Sequence, residues 1–149
     1  MNDEILGQLD RSQLQLATMK KRSVAFIIDE LLLSALLMIM LWDAFSALTT
    51  WEEMIALTNA YVIEYMVIKI IYQTLFVYQY GATIGKIAMK IRVIEVRTLA
   101  TPIFFSAFNR GVFRIISEMI FYMGFIWAMY NPARQTWHDK TARTVVVDA

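Results

Sequence analysis

The chain has 149 residues, of which 58% are hydrophobic, and its mean hydropathy is positive, so it carries more apolar surface than a small soluble core buries. Its net charge is +1 and it has no cysteine, which excludes disulfides, thiolate metal sites and a cysteine nucleophile and argues against nucleic acid as a partner. A membrane is the simplest solvent for such a chain, so the lipid bilayer is its expected partner.

Residues 1–21 predict a cytoplasmic amphipathic leader. Apolar residues recur there among polar ones in a loose helical pattern, which suits a helix on the membrane surface or one packed beneath a helical bundle. A mobile leader fits the same pattern. The acids Asp3, Glu4 and Asp10 and the absence of a small-residue cleavage pattern argue against a removable signal peptide.

Residues 23–42 predict the first transmembrane span, because a basic cluster ending at Arg22 precedes an apolar run. Asp29 and Glu30 interrupt this run; each acid at the centre of a span costs about 2.5 to 3.5 kcal/mol, against about 3 to 7 kcal/mol from the apolar residues. Arg22 lies nearly two helical turns before Asp29, so both side chains share one stripe and Arg22 is a ready partner. We therefore expect a span that packs against other helices.

The second predicted span covers residues 54–80, after an outer loop that has acids and tryptophans but no lysine or arginine. Glu64 and Lys69 lie within it, about 140° apart around a helix, so we expect each to face a different neighbour. Its tyrosines Tyr72 and Tyr78 suit the membrane interface at which the span returns.

The connector that follows, residues 81–101, is basic and is therefore expected on the cytoplasmic side. Its Gly81-x-x-x-Gly85-Lys86 is one residue shorter than a phosphate-binding loop, and Ile87 replaces the serine or threonine that binds magnesium, which argues against nucleotide binding. The β-branched runs 91–97 and 144–147 predict two paired strands in a small cytoplasmic sheet.

The third apolar segment, residues 103–130, has two unlike halves. Arg110, Arg114 and Glu118 recur every four residues in the first half, and the second half is apolar. If the segment spans once, the basic tail lies outside and breaks the positive-inside rule. If the segment is re-entrant or interfacial, the tail stays inside, where Asp139 can meet Arg22. We favour the second arrangement.

The ionisable residues within the spans allow two interpretations. One is a path for cations or protons, because such residues often line a wet interior, and its candidates are Asp29, Glu30, Glu64 and Lys69. The other is mutual neutralisation that holds helices together: Arg22 with Asp29 and Asp139, Arg114 with Glu118, and Lys69 with Glu64 or Glu30. The second is favoured for Lys69 and for the structural ion pairs of Arg110, Arg114 and Glu118, and the two interpretations are level for Asp29.

The only histidine of the sequence, His138, is interpreted as an ordinary surface residue. It lacks nearby ligands for a metal and a placed nucleophile for a catalytic triad. We therefore expect no catalytic residue, no metal, no cofactor and no enzymatic activity.

An arginine opening the first span, an aspartate two turns later and an aspartate in a His-Asp-Lys context resemble the RDD family of membrane proteins, named for those residues. They correspond here to Arg22, Asp29 and Asp139. The Gly81–Lys86 stretch and Arg110 are similar to the family pattern as well, and the resemblance runs from about residue 20 to the end. It implies an architecture, and no settled biochemical role.

The expected fold class is an all-α membrane protein: a small polytopic helical bundle with two clear transmembrane helices, a third spanning or re-entrant segment, and a small cytoplasmic β element. Residues 22–147 form the RDD-like transmembrane domain, in a bacterial cytoplasmic membrane with the N-terminus inside. One expected function is transport of cations, protons or small solutes, which requires an oligomer because so few helices scarcely enclose a path. The alternative is a membrane scaffold or accessory subunit whose cytoplasmic face docks a partner protein.

Overall fold

The computed structural model describes residues 2–120 and 123–149, and most of these residues are helical. The first elements in chain order are α1 (Asn2–Arg11), α2 (Met19–Met40), α3 (Trp42–Ser46), α4 (Trp51–Ala60), α5 (Val62–Tyr80) and α6 (Ile84–Ala88). The remaining elements are β1 (Ile91–Glu95), α7 (Phe104–Met119), α8 (Met123–Tyr130), α9 (Trp137–Thr141) and β2 (Thr144–Asp148).

Helix α2 covers most of the first predicted span, but it begins at Met19 rather than at residue 23 and ends at Met40 rather than at residue 42. The hydroxyl of Thr18 caps it by accepting a hydrogen bond from the backbone N–H of Lys21 at 3.3 Å. Its 22 residues reach about 33 Å, close to the thickness of a bilayer core. Large apolar side chains such as Leu31 and Ile39 are exposed along it, as expected for a surface that faces lipid.

The second predicted span is broken. Helices α4 and α5 meet at Tyr61 with a bend of 54°, and together they are long and apolar enough to cross a membrane. Within the described residues, only α2 and this bent pair meet that condition. Helix α5 ends at Gly81, whose φ of 69° is the left-handed conformation that glycine adopts without strain, and whose N–H donates to the carbonyl of Val77 at 3.0 Å.

The third predicted segment, with its two unlike halves, forms two helices. Helix α7 ends at Met119 and α8 begins at Met123, while residues 121 and 122 of the predicted segment lie outside the described residues. One face of α7 is buried and contacts α5 and α9. That face includes Ala107, Arg110 and Arg114, whereas Phe105 and Phe108 are exposed on the other side.

The predicted pairing of two strands is confirmed. β1 and β2 are antiparallel, with Val93 opposite Val146, and both side chains are fully buried. Helix α1 packs on this sheet through Ile5 and Leu9, which join the same apolar cluster as Val147. In this structure the leader therefore packs against the sheet.

Candidate functional site

Charged side chains from four helices form a seam through the interior, which we call the charged seam. Its members are Arg22, Asp29 and Glu30 of α2, Lys69 of α5, Arg110, Arg114 and Glu118 of α7, and Asp139 of α9. With the exception of the partly exposed Glu30 and Glu118, these residues are buried. All eight were predicted as candidate site residues from the sequence.

Asp139 occupies one end of the charged seam, where a short helix presents its carboxylate to two arginines. It is the third residue of α9 and completes a capping box, accepting from the N–H of Thr136 at 3.0 Å. The same carboxylate pairs with Arg22 at 2.6 Å and with Arg110. Burial alone raises the pKa of Asp139, but the two guanidinium groups lower this pKa more, so it lies well below its usual range.

Asp29 lies deeper in the charged seam, and neutral groups hold its carboxylate. It is 0% exposed. It accepts hydrogen bonds from the hydroxyl of Tyr72 at 2.7 Å, from the hydroxyl of Thr83 at 2.6 Å and from the N–H of Gly85 at 2.9 Å. These contacts connect α2 to α5 and to the start of α6.

The predicted pairing of Arg22 with Asp29 is wrong. Among the described residues no ion pair joins them; Arg22 pairs with Asp139 and donates to the backbone carbonyl of Arg134 instead. The two residues share a stripe, but Asp29 lies about 10 Å further along the helix. Asp139, the other predicted partner, is the residue that pairs with Arg22, whereas the backbone carbonyl from the tail was not predicted.

Gly85 allows α6 to lie directly against α2. A Cβ atom at this position would lie 2.1 Å from the carbonyl oxygen of Ala25 and 2.9 Å from the carboxylate of Asp29. Only glycine fits without moving one helix away from the other. The bond from its N–H to Asp29 therefore depends on the absence of a side chain.

A second group of ion pairs joins α2, α5 and α7. The ammonium of Lys69 lies 2.8 Å from Glu30 and also pairs with Glu118. Arg114 lies 3.5 Å from Glu30 and 3.4 Å from Glu118. Of the two partners predicted for Lys69, Glu30 is therefore the one that it contacts, since Glu64 is exposed and lies outside the charged seam.

Several partners in the charged seam escaped the sequence analysis. Tyr72 was predicted at the membrane interface but is buried against Asp29, because it faces inward from α5. Thr83 was noted only as part of a glycine motif. The sequence feature that could have identified Thr83 is its position between Gly81 and Gly85, because glycines often mark a close approach of the backbone to another segment.

His138 is buried, with 4% of its surface exposed, so its interpretation as a surface residue is wrong. The reason is that α9, which carries His138, packs against α7. Burial lowers the pKa of His138 well below 6.5; Asp139 opposes this, and Arg110 and Arg22 add to it, so the imidazole is neutral at pH 7. The described part of the chain contains no group of three or more acidic or histidine side chains placed to hold a metal ion.

Comparison with known proteins identifies the family of this chain. The model of the RDD family matches residues 16–143, which is most of the chain and includes Arg22, Asp29 and Asp139. No curated protein and no solved structure matches the chain. Proteins with this domain are generally membrane-associated, in keeping with the apolar surface of α2. The chain belongs to the RDD family.

Proposed function

We propose that this protein is a membrane scaffold or accessory subunit in which the charged seam fixes the packing of the helices. It is integral to a bacterial cytoplasmic membrane, crosses it more than once and has its N-terminus in the cytoplasm. It is not an enzyme. Its partners are the bilayer and either further copies of itself or another membrane protein.

The observation that carries this proposal is that every carboxylate of the charged seam links at least two helices. Asp139 links α9 to α2 and α7, and Asp29 links α2 to α5 and α6. Glu30 and Glu118 share Lys69 and Arg114 across three helices. Leaving a buried charge without its partner costs about 3 to 5 kcal/mol, so releasing one of these carboxylates to carry an ion opposes the folded state.

The position of the tail supports a re-entrant or interfacial third segment. Asp139 meets Arg22, and β2 pairs with β1, so the tail lies at the end of the molecule where α2 begins. The basic residues of the connector and the tail gather at the same end. This is the charge distribution of a cytoplasmic face.

A groove of about 410 Å³ at this end is our candidate docking surface. Ile5 and Val96 contribute apolar surface to it, and its three cations, Arg97, Lys140 and Arg143, outnumber its one acid, Glu4. An acidic segment of a partner protein fits this combination, since complementary charge guides association and apolar contact supplies affinity.

The experiment that tests the proposal is a flux assay on purified protein in liposomes, with a pH-sensitive dye inside and Na⁺, K⁺ and Li⁺ supplied in turn. If the protein is a scaffold, we expect no cation or proton flux into liposomes that contain the folded, correctly oriented wild-type protein. Asp29→Asn is the matched variant, because its amide oxygen still accepts from Tyr72 and Gly85 and its amide nitrogen donates to the hydroxyl of Thr83. Flux in the wild type that Asp29→Asn abolishes, at an unchanged unfolding temperature, contradicts the proposal.

The second candidate function is transport of cations or protons through an oligomer, and Glu64 favours it. This acid is exposed on α5, within the bent pair of helices that is long enough to cross a membrane. An unpaired acid facing lipid is costly, and a second copy of the chain would cover it. Transport therefore predicts that Glu64→Gln reduces both flux and self-association, whereas the scaffold proposal without self-association predicts neither.

A further inference from the structure

A small cavity lies where α2, α5, α6, α7 and α9 converge, and its polar lining consists of cations and hydrogen-bond donors. Its volume is about 20 Å³. Six polar side chains line it: Arg22, Gln73, Lys86, Arg110, Arg114 and His138. No carboxylate of the described residues is among its lining.

Two of these side chains have buried donors without a partner. Gln73 is 4% exposed and Arg110 is 2% exposed, and neither the amide nitrogen of Gln73 nor Nε of Arg110 has a hydrogen-bond partner among the described residues. Buried donors nearly always make a hydrogen bond, because a buried donor without one loses its bonds to water and gains nothing in return. The cavity therefore fits a guest that accepts hydrogen bonds.

The charge around the cavity is not balanced. Five cationic side chains face four carboxylates, so one positive charge is left over when all are ionised; the cations are Arg22, Lys69, Lys86, Arg110 and Arg114, and the acids Asp29, Glu30, Glu118 and Asp139. In the described part of the chain, no carboxylate lies within 4 Å of the Lys86 ammonium. His138 does not change the count, since its imidazole is neutral.

We propose that this cavity binds one small monovalent anion, of which chloride is the available example, between Arg110, Lys86 and Gln73. A cavity needs about 10 to 15 Å³ to hold one water, and the volume here is about 20 Å³. This volume suits a single-atom anion such as a halide better than a polyatomic anion such as phosphate or a carboxylate. The anion neutralises the surplus charge at the junction of five helices, and this binding is separate from the proposed scaffold function.

Binding is linked to the protonation of Lys86. The pKa of Lys86 is lowered to about 7, mainly by burial; Arg114 on α7, Arg110 and Arg22 contribute to this lowering, and Asp29 on α2 opposes it. Gln73 of α5 and neutral His138 of α9 complete the groups that face it. Because the anion requires the ammonium form, its apparent affinity falls about tenfold from pH 6 to pH 8.

The test is the unfolding temperature of the full-length protein in detergent, in sodium chloride against sodium gluconate of equal ionic strength. We expect chloride to raise this temperature saturably, with the weaker binding at pH 8. Lys86→Met removes the surplus charge, so in gluconate it should be more stable than the wild type and its response to chloride should be lost. Lys90→Met is the matched control, because Lys90 is exposed and outside the cavity, and it should respond as the wild type does.

Two further results complete the test. Gln73→Leu should weaken chloride binding at least tenfold, and bromide should give an anomalous signal within the cavity of a crystal. Equal unfolding temperatures of the wild type in chloride and gluconate at pH 6, or a bromide-free cavity that holds only water, would overturn the proposal. So would a Lys86→Met variant that is less stable than the wild type in gluconate, since that outcome assigns Lys86 a purely structural role.

Discussion

At the scale of single residues, the buried carboxylates differ in what holds their charge. Asp139 has two guanidinium partners and the N–H of Thr136, whereas Asp29 has three neutral donors. When a carboxylate that is held by cations is replaced by a neutral amide, the cations lose their counter-ion. A carboxylate that is held by hydroxyls can be replaced by an amide at lower cost, because a hydroxyl can accept a hydrogen bond instead of donating one.

Asp139→Asn should lower the free energy of unfolding at pH 7 by about 3 to 5 kcal/mol, because two buried arginines lose their counter-ion. The folded-state pKa of Asp139 is depressed, so its stabilisation is present above the unfolded value of about 3.9 and is lost as pH falls through the folded value. The difference between wild type and variant should therefore narrow below about pH 4. Denaturant unfolding between pH 3 and pH 8 measures it.

Asp148→Asn is the control for this change. Asp148 pairs with Lys21 at 2.8 Å, but both side chains are about one third exposed, and exposed pairs contribute about 0 to 1 kcal/mol. If the two variants lose equal stability, or if the Asp139→Asn loss stays constant down to pH 3, the arginines do not depend on Asp139 as we infer.

At the scale of elements, the short helix α6 connects the interior of the bundle to the sheet. It packs on α2 at Gly85 and is followed directly by β1. It also brings Lys86 to the cavity beside Arg110. Displacing α6 thus disturbs the hydrogen bonds of Asp29 and the start of the sheet together.

Gly85→Ala should destabilise the protein by about 1 to 3 kcal/mol, the usual cost of overpacking a close contact, because its Cβ would overlap the carbonyl of Ala25. Gly7→Ala is the matched control: nothing lies within 4 Å of a Cβ there, and alanine in α1 should be neutral or stabilising by about 0.5 to 1 kcal/mol. Thermal unfolding in detergent measures both. Equal stability of the two variants would contradict the close approach of α6 to α2.

At the scale of the whole molecule, the two ends of the chain lie together. Leu16 bridges to Val147, Ala17 donates to the carbonyl of Val146, and Arg22 pairs with Asp139. The sheet, α1 and α9 are therefore one assembly at the end of the bundle where α2 begins. Relative to a membrane that α2 crosses, this assembly lies on one side and α3, which contains Asp43, lies on the other.

This arrangement predicts a labelling pattern for single cysteines, which is easy to test because the chain has none of its own. Three exposed positions of the assembly suit this test, through the variants Asp10→Cys, Arg97→Cys and Ala149→Cys. The fourth variant, Asp43→Cys, places a cysteine in α3 at the other end of α2. A membrane-impermeant maleimide should label the first three in inverted vesicles and Asp43→Cys in intact spheroplasts. Labelling of Ala149→Cys from the side of Asp43→Cys would contradict a re-entrant third segment.

Local patterns in the sequence were sufficient for much of this molecule. The apolar run after Arg22 predicted α2, the β-branched runs predicted β1 and β2, and the RDD family followed from three residues in order. The ion pair between Arg114 and Glu118 followed from a spacing of four residues. The helix, the strands and the ion pair depend on residues close together in the chain or on periods of 3.6 and 2 residues, and the family resemblance depends on residue types in a fixed order along the chain.

Tertiary structure decided which groups meet. The sequence offered Arg22 two partners, Asp29 on the same stripe and Asp139 in the tail, and the folded structure shows that Asp139 is the one with which it pairs. From their positions in the sequence, Tyr72 was predicted at the membrane interface and His138 at the surface. Both are buried, because the helices that carry them pack against other helices. The cavity at Lys86 is a junction of five helices. The physical reason is that burial and charge pairing depend on distances in space, which contacts between remote segments set and which local periodicity does not encode.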